Sequence, residues 1–166
     1  MRVAVTGASG FVGSSLVRHL AGSGSCEVVA IGRRDPGNWQ ATVRQVNIDD
    51  LAANASSDNI EQALHGVDAI IHLAALAQAK GRSSDEMMHG NVAVAEKLAR
   101  LAINAGVKRL LLVSTAQVSG TVTPGAPIDE NSQDDPQDDY GRSKLAAEAA
   151  VQRVCSETST NWTIVR

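Results

Sequence analysis

Residues 2–20, RVAVTGASGFVGSSLVRHL, allow few folds. A β-branched apolar run leads into Gly7, Gly10 and Gly13, and a helical pattern follows at once. Glycines spaced GxxGxxG between a strand and a helix form a variant of the dinucleotide fingerprint. Gly7 permits the tight turn, Gly10 lets the backbone approach a pyrophosphate, and Gly13 allows close packing of helix on strand. Phe11 and Val12 then sit at the positive end of the helix, where phosphates rest on free N–H groups. No Gly-Lys-Ser/Thr follows, which excludes a P-loop. The bland alternative is an ordinary turn between strand and helix.

The rest of the chain repeats the same alternation. Apolar runs at 2–6, 27–31, 42–46, 68–73, 109–114 and 162–166 read as strands. Most are continuously apolar, as expected of strands covered on both faces. Segments 11–22, 58–65, 84–105 and 140–156 read as helices. In the third of these, Val92, Leu98, Leu101 and Ala105 recur at helical spacing, with Gly106 where a C-cap is expected. Strand and helix in alternation predict an α/β fold, a doubly wound parallel sheet of Rossmann type with right-handed crossovers. One domain, 1–166, is expected from the length. Segment 116–139, with Pro124, Pro127 and Pro136, reads as a loop. The sequence stops near its sixth strand. A substrate pocket would need more walls, so the chain reads as the cofactor-binding part of a longer enzyme.

Composition narrows the function. A net charge of −3 offers no footprint for nucleic acid or an anionic membrane. No signal-peptide pattern and no membrane-length apolar run occurs. Cys26 and Cys155 suggest neither a disulfide framework nor a zinc site. The expectation is a cytoplasmic protein with two reduced thiols.

After the second strand a cofactor of NAD type would meet an acid at its ribose. Here Arg33 and Arg34 stand there instead, and a guanidinium fork suits a 2′-phosphate. The cofactor is therefore NAD or NADP, with a slight tilt to NADP. Asp35 keeps NAD open, and two solvated arginines are the plain alternative.

Tyr140 is the only tyrosine of the chain, and Lys144 follows it by one helical turn. A free phenol with pKa near 10 is a poor base at neutral pH. A nearby ammonium is expected to lower that pKa and make Tyr140 a usable proton donor or acceptor. The same ammonium could reach the ribose of a nicotinamide cofactor. LLLVSTAQ places Ser114 and Thr115 at the carboxyl edge of the fifth strand, where a hydroxyl can hold a substrate oxygen. The alternative is that Lys144 pairs with Glu148 and Tyr140 is a surface ring.

TGASGFVG, HLAA at 72–75, NV at 91–92, LLVST at 111–115 and YGRSKLAAE at 140–148 resemble the extended short-chain dehydrogenase/reductases. Within them the chain is similar to the NAD-dependent epimerase/dehydratase family, the nucleotide-sugar 4-epimerases and 4-ketoreductases. The resemblance implies a catalytic group of Thr115, Tyr140 and Lys144, with hydride transfer between a sugar carbon and a nicotinamide. It implies cofactor contacts near Asn47, Ile48 and the backbone of Leu73, Ala74 and Ala75. It also implies a homodimer through helices 84–105 and 140–156. Three departures stand out: Ser119-Gly120 where Tyr-Gly is common, Thr115 for the commoner serine, and Arg33 where an acid is frequent. A non-catalytic dinucleotide sensor is the competing function. It would need the glycines but not the three catalytic residues.

Other residues promise less. His72 reads as packed or lining the cleft. Glu86 and His89 lack further metal ligands. The acids from Asp129 to Asp139 lack the grammar of a calcium loop. Asp138 and Asp139 fit a helix N-terminus better.

Overall fold

The computed structural model describes residues 1–34, 39–53, 57–77, 83–120, 125 and 127–166. The elements run β1 (Arg2–Thr6), α1 (Phe11–Gly22), β2 (Glu27–Gly32), β3 (Val43–Asn47), α2 (Ser57–Leu64) and β4 (Ala69–His72). They continue with α3 (Ser84–Asn104), β5 (Arg109–Val113), a 3-10 turn (Ala116–Ser119), α4 (Asp139–Cys155) and β6 (Asn161–Val165). All five strand pairings are parallel, in the order β3-β2-β1-β4-β5-β6. This is the doubly wound Rossmann-type sheet that the alternation predicts.

Apolar residues on both faces of each central strand are explained by two cores. Val3, Val5, Val28 and Ala30 point to one side and pack with Val17 and Ala21 of α1. Ala4, Val29, Ile31, Ile70 and Leu110 point to the other, against α2, α3 and α4. The edge strands β3 and β6 are less buried, and Trp162 and Val165 of β6 stay exposed. Helix α3 ends in a Schellman arrangement: Gly106, at φ +70, donates its N–H to Ile103, and Val107 donates to Ala102. No helix among the described residues is long and apolar enough to cross a membrane.

The expected loop 116–139 holds a short helical turn at its start, and its last residue, Asp139, already belongs to α4. Thr115 caps the 3-10 turn of 116–119, its side chain accepting from the Gln117 N–H. Residues 121–124 and 126, including Pro124, lie outside the described residues.

Candidate functional site

The chain winds from β1 outward to β2 and β3, then returns to β4 on the other side of β1. A doubly wound sheet opens its ligand crevice at that reversal, beyond the carboxyl ends of the strands. A cleft of about 550 Å³ lies there, lined by Gly7, Gly10, Gly32, Arg33, Ile48 and Ala74 among others.

Two of the three glycines are enforced by close neighbours. Gly7 has φ +71, and a Cβ on it would lie 2.7 Å from the Ala74 nitrogen. Its need is therefore double: a left-handed turn, and the close approach of the rim after β4. A Cβ on Gly13 would run into the Gly7 carbonyl oxygen. Gly10 differs, because its Cβ would meet only the Gly7 oxygen, at 3.2 Å, and otherwise project freely. Gly10 is the N-cap of α1, which has no side-chain cap and no acid in its first turn. Phe11 and Val12 expose their side chains to solvent, and the N–H groups of that first turn lack a side-chain acceptor. A glycine cradle and an uncapped helix start fit a dinucleotide pyrophosphate.

Behind the cradle, Thr6 and His72 close the ends of β1 and β4. Their Oγ1 and Nδ1 atoms are 2.6 Å apart, and Thr6 Oγ1 also accepts the Ala74 N–H at 3.4 Å. Burial, with the Lys144 charge adding to it, pushes the His72 pKa down to about 3. The imidazole is thus a neutral packing and positioning group for the 73–75 rim. As pH falls below 6.5 the unfolded chain takes up a proton that the folded chain refuses until about 3. Stability should fall across that window by up to ~1.4 kcal/mol per pH unit. Urea titrations at successive pH values should show this slope, and His72→Asn should flatten it.

Two side chains outside the sequence-based expectation shape the same rim. Buried Asn91 on α3 accepts the Leu76 N–H at 2.7 Å and donates to the Leu76 carbonyl at 3.1 Å. Its amide also donates to Ser143 Oγ at 2.9 Å, which joins the rim to α4. Lys97 reaches from α3 to the Ala53 carbonyl and secures the far wall. The NV pair at 91–92 was a usable signal for Asn91; nothing local marks Lys97.

Of the expected contacts, Ile48, Leu73, Ala74, Ala75 and Arg33 line the cleft. Ile48 is buried and donates its N–H to the Gly32 carbonyl at 2.9 Å. Asn47 is exposed at the end of β3, beside Gly32 in register. Arg33 and Arg34 are both exposed. Asp35 lies outside the described residues.

Thr115 follows the end of β5, Lys144 reaches back to that carboxyl edge, and Tyr140 stands in the first turn of α4, which approaches Gln117 at Gly141. Thr115 and Gln117 bond side chain to side chain at 3.4 Å, and Gln117 donates to Asp138 at 3.1 Å. The other Asp138 oxygen accepts the Gly141 N–H at 2.6 Å, so this acid is the N-cap of α4. Tyr140 follows two residues later. Lys144 is buried and donates to the Val113 carbonyl at 2.8 Å, two residues before Thr115. Its amine is pushed down to about 8 by burial, against the opposing pull of Glu148.

The expected electrostatics of the phenol need correction. Burial, and then the Asp138 carboxylate, push Tyr140 above its ordinary value. Lys144 adds no opposing influence on the phenol; its ammonium donates to the Val113 carbonyl. Nor does Lys144 form the alternative ion pair with Glu148. That carboxylate, almost fully buried, accepts from Ser114 Oγ and pairs with Arg166 at 2.7 Å. Arg166 in turn holds Asp134 at 2.7 Å. The tempting acids have local duties: Glu86 closes a capping box with Ser83, and Asp129 ties down Asn131 and Ser132.

A family model described as NAD dependent epimerase/dehydratase matches residues 3–166. The chain belongs to that family. It is 31% identical over 169 residues to a UDP-glucose 4-epimerase of Vibrio cholerae, covering 99% of this chain and 50% of the relative. The protein MoeE5, solved with UDP-glucose and NAD, is 30% identical with a TM-score of 0.83, over 99% of this chain and 52% of that one. The dTDP-glucose 4,6-dehydratase of Streptomyces venezuelae, solved with NAD, is 27% identical with a TM-score of 0.87. That match covers 99% of this chain and 54% of the dehydratase. The chain spans about half the length of the curated epimerase it matches.

Proposed function

We propose that residues 1–166 form the NAD(P)-binding half of an epimerase/dehydratase-family enzyme that oxidises or reduces a carbon of a nucleotide-linked sugar. The observation that supports this reading is the glycine cradle at the start of α1, opening on a cleft at the carboxyl ends of the strands. A bound nicotinamide would supply the hydride acceptor or donor. Thr115 would hold the reacting sugar oxygen, and Tyr140 would exchange a proton with it. Lys144, fixed by Val113, would face the cofactor ribose. A neutral phenol is the form that protonates a ketone oxygen as hydride arrives. Reduction of a 4-keto group is thus the half-reaction that the resting protonation state favours. The two solved structures named above contain NAD, while Arg33 and Arg34 favour a 2′-phosphate and lean this chain toward NADP.

Gly10→Val tests the cofactor half of the reading. The new side chain would project from the start of α1 into the phosphate cradle, with little to disturb behind it. NADH and NADPH should each bind at least tenfold more weakly by calorimetry, since roughly 1.5–3 kcal/mol attends each lost charge-assisted contact. Unchanged affinity for both would remove the cofactor assignment.

A further inference from the structure

We infer that Glu148 is a positioning residue for Lys144: anchored on Ser114 and Arg166, its carboxylate keeps the buried ammonium charged without capturing it. What that charge does for a cofactor rests on the reading above; the charge itself belongs to the free protein.

The geometry is a pair of clamps on one strand end. Lys144 and Glu148 stand one turn apart on α4, and both are buried. Lys144 donates to the Val113 carbonyl at 2.8 Å, and Glu148 accepts from the hydroxyl of Ser114, the next residue. The two opposite charges are thus fixed on consecutive residues at the carboxyl end of β5. Arg166 completes the hold on the carboxylate. Its Nη2 lies 2.7 Å from Glu148 Oε2, and its Nε lies 3.2 Å from the same oxygen. Among the described residues Glu148 has its ion pair with Arg166, and Lys144 has none.

An ammonium in this place needs a counter-charge. Burial disfavours the charged amine, and one backbone carbonyl returns only a dipole. A contact pair with Glu148 would restore the charge, but it would occupy an N–H and draw the amine along α4. Held on Ser114 and Arg166, the carboxylate acts from a fixed distance instead. Lys144 carries three donors; one goes to Val113, and a ligand can claim the others. Burial brings the amine down to about 8, and Glu148 opposes that fall.

Among the described residues, the other ionisable groups around α4 are engaged elsewhere. Asp134 is held by Arg166 at 2.7 Å, and Asp138 accepts from Gly141 and Gln117. On α3, Glu96 pairs with Arg100 and with Arg153 further along α4. His72 on β4 feels the Lys144 charge, but its pKa of about 3 leaves it neutral. The Tyr140 phenol, raised by burial and Asp138, is neutral too. The counter-charge of Lys144 is therefore Glu148.

A pH titration of the 166-residue protein labelled with ¹³C at lysine Cε reads the charge directly. Loss of one resonance in Lys144→Met identifies it. The parent transition is expected at about 8. Glu148→Gln keeps the shape and removes the charge, and it should bring the transition down by about one unit or more. Ser114→Ala removes a clamp and leaves the charge, so the transition should move less than half as far. In calorimetry, affinity for NADH and NADPH should fall as pH rises through the Lys144 transition. Glu148→Gln should move that fall to lower pH and regain the parental affinity below it. An unmoved Lys144 transition in Glu148→Gln overturns the inference, and so does an equal shift in Ser114→Ala. A loss of affinity that is equal at every pH would mark a merely structural role and overturn it as well. Should the parent bind neither dinucleotide, the cofactor reading fails, while the titration still decides the role of Glu148.

Discussion

Arg166→Ala should lower the unfolding free energy by about 3–5 kcal/mol, the range for removing one partner of a buried ion pair. The magnitude follows from which charge is left behind. The Glu148 side chain is 3% exposed and Arg166 31%. Without Arg166 the buried carboxylate keeps, among the described residues, the Ser114 hydroxyl as its hydrogen-bond partner. Glu148→Gln is the milder change. It preserves the shape, still offers an oxygen, and leaves Arg166 paired with Asp134; about 1–2 kcal/mol is expected from weakened hydrogen bonds. Urea midpoints of the two variants read both losses. Equal losses in the two variants would show that the buried carboxylate does not set the energy.

That ion pair also marks where sequence reasoning stops. Strands and helices were legible because each buries a stripe or a whole run, and burial writes periodicity into the chain. Ends were displaced by a residue or two: β4 stops at His72 rather than 73, and α4 begins at Asp139 rather than Tyr140. Gly7, Gly10 and Gly13 were legible for a stronger reason, since only glycine satisfies the contacts at Gly7 and Gly13. Partners chosen across the fold left no local trace. Glu148 stands one turn from Lys144, so helical spacing proposed that pair. The actual partner is Arg166, brought alongside because β6 pairs with β5. His72 and Thr6 are 66 residues apart and meet only through the β1–β4 register. The pKa of Tyr140 failed for the same reason. Spacing from Lys144 was visible, but the burial of the phenol and the approach of Asp138 were not.

Tyr140→Phe should leave NAD(H) and NADPH binding near normal and remove about 10²–10⁴-fold of the turnover of a nucleotide-sugar substrate, the usual share of general acid–base catalysis. The assay belongs in the protein at the length of its relatives. The argument is one of position and protonation together. Thr115 is tied through Gln117 to Asp138, the N-cap of the helix whose first turn carries Tyr140. The phenol is held neutral by burial and by Asp138. It can therefore give its proton to a ketone oxygen without prior activation. To act as a base in the oxidising direction it must first ionise, against both influences. Because the chain has one tyrosine, its phenolate absorbance reports Tyr140 alone. The titration of the free protein should lie above the ordinary phenol value, and Asp138→Asn should bring it down by removing the second cause. Lys144→Met should also reduce turnover, and it should weaken cofactor binding, which Tyr140→Phe does not. A Tyr140→Phe variant with near-parental turnover would leave the proton without a carrier among these three residues. The hydroxyl of Thr115 would then have to be tested as the donor.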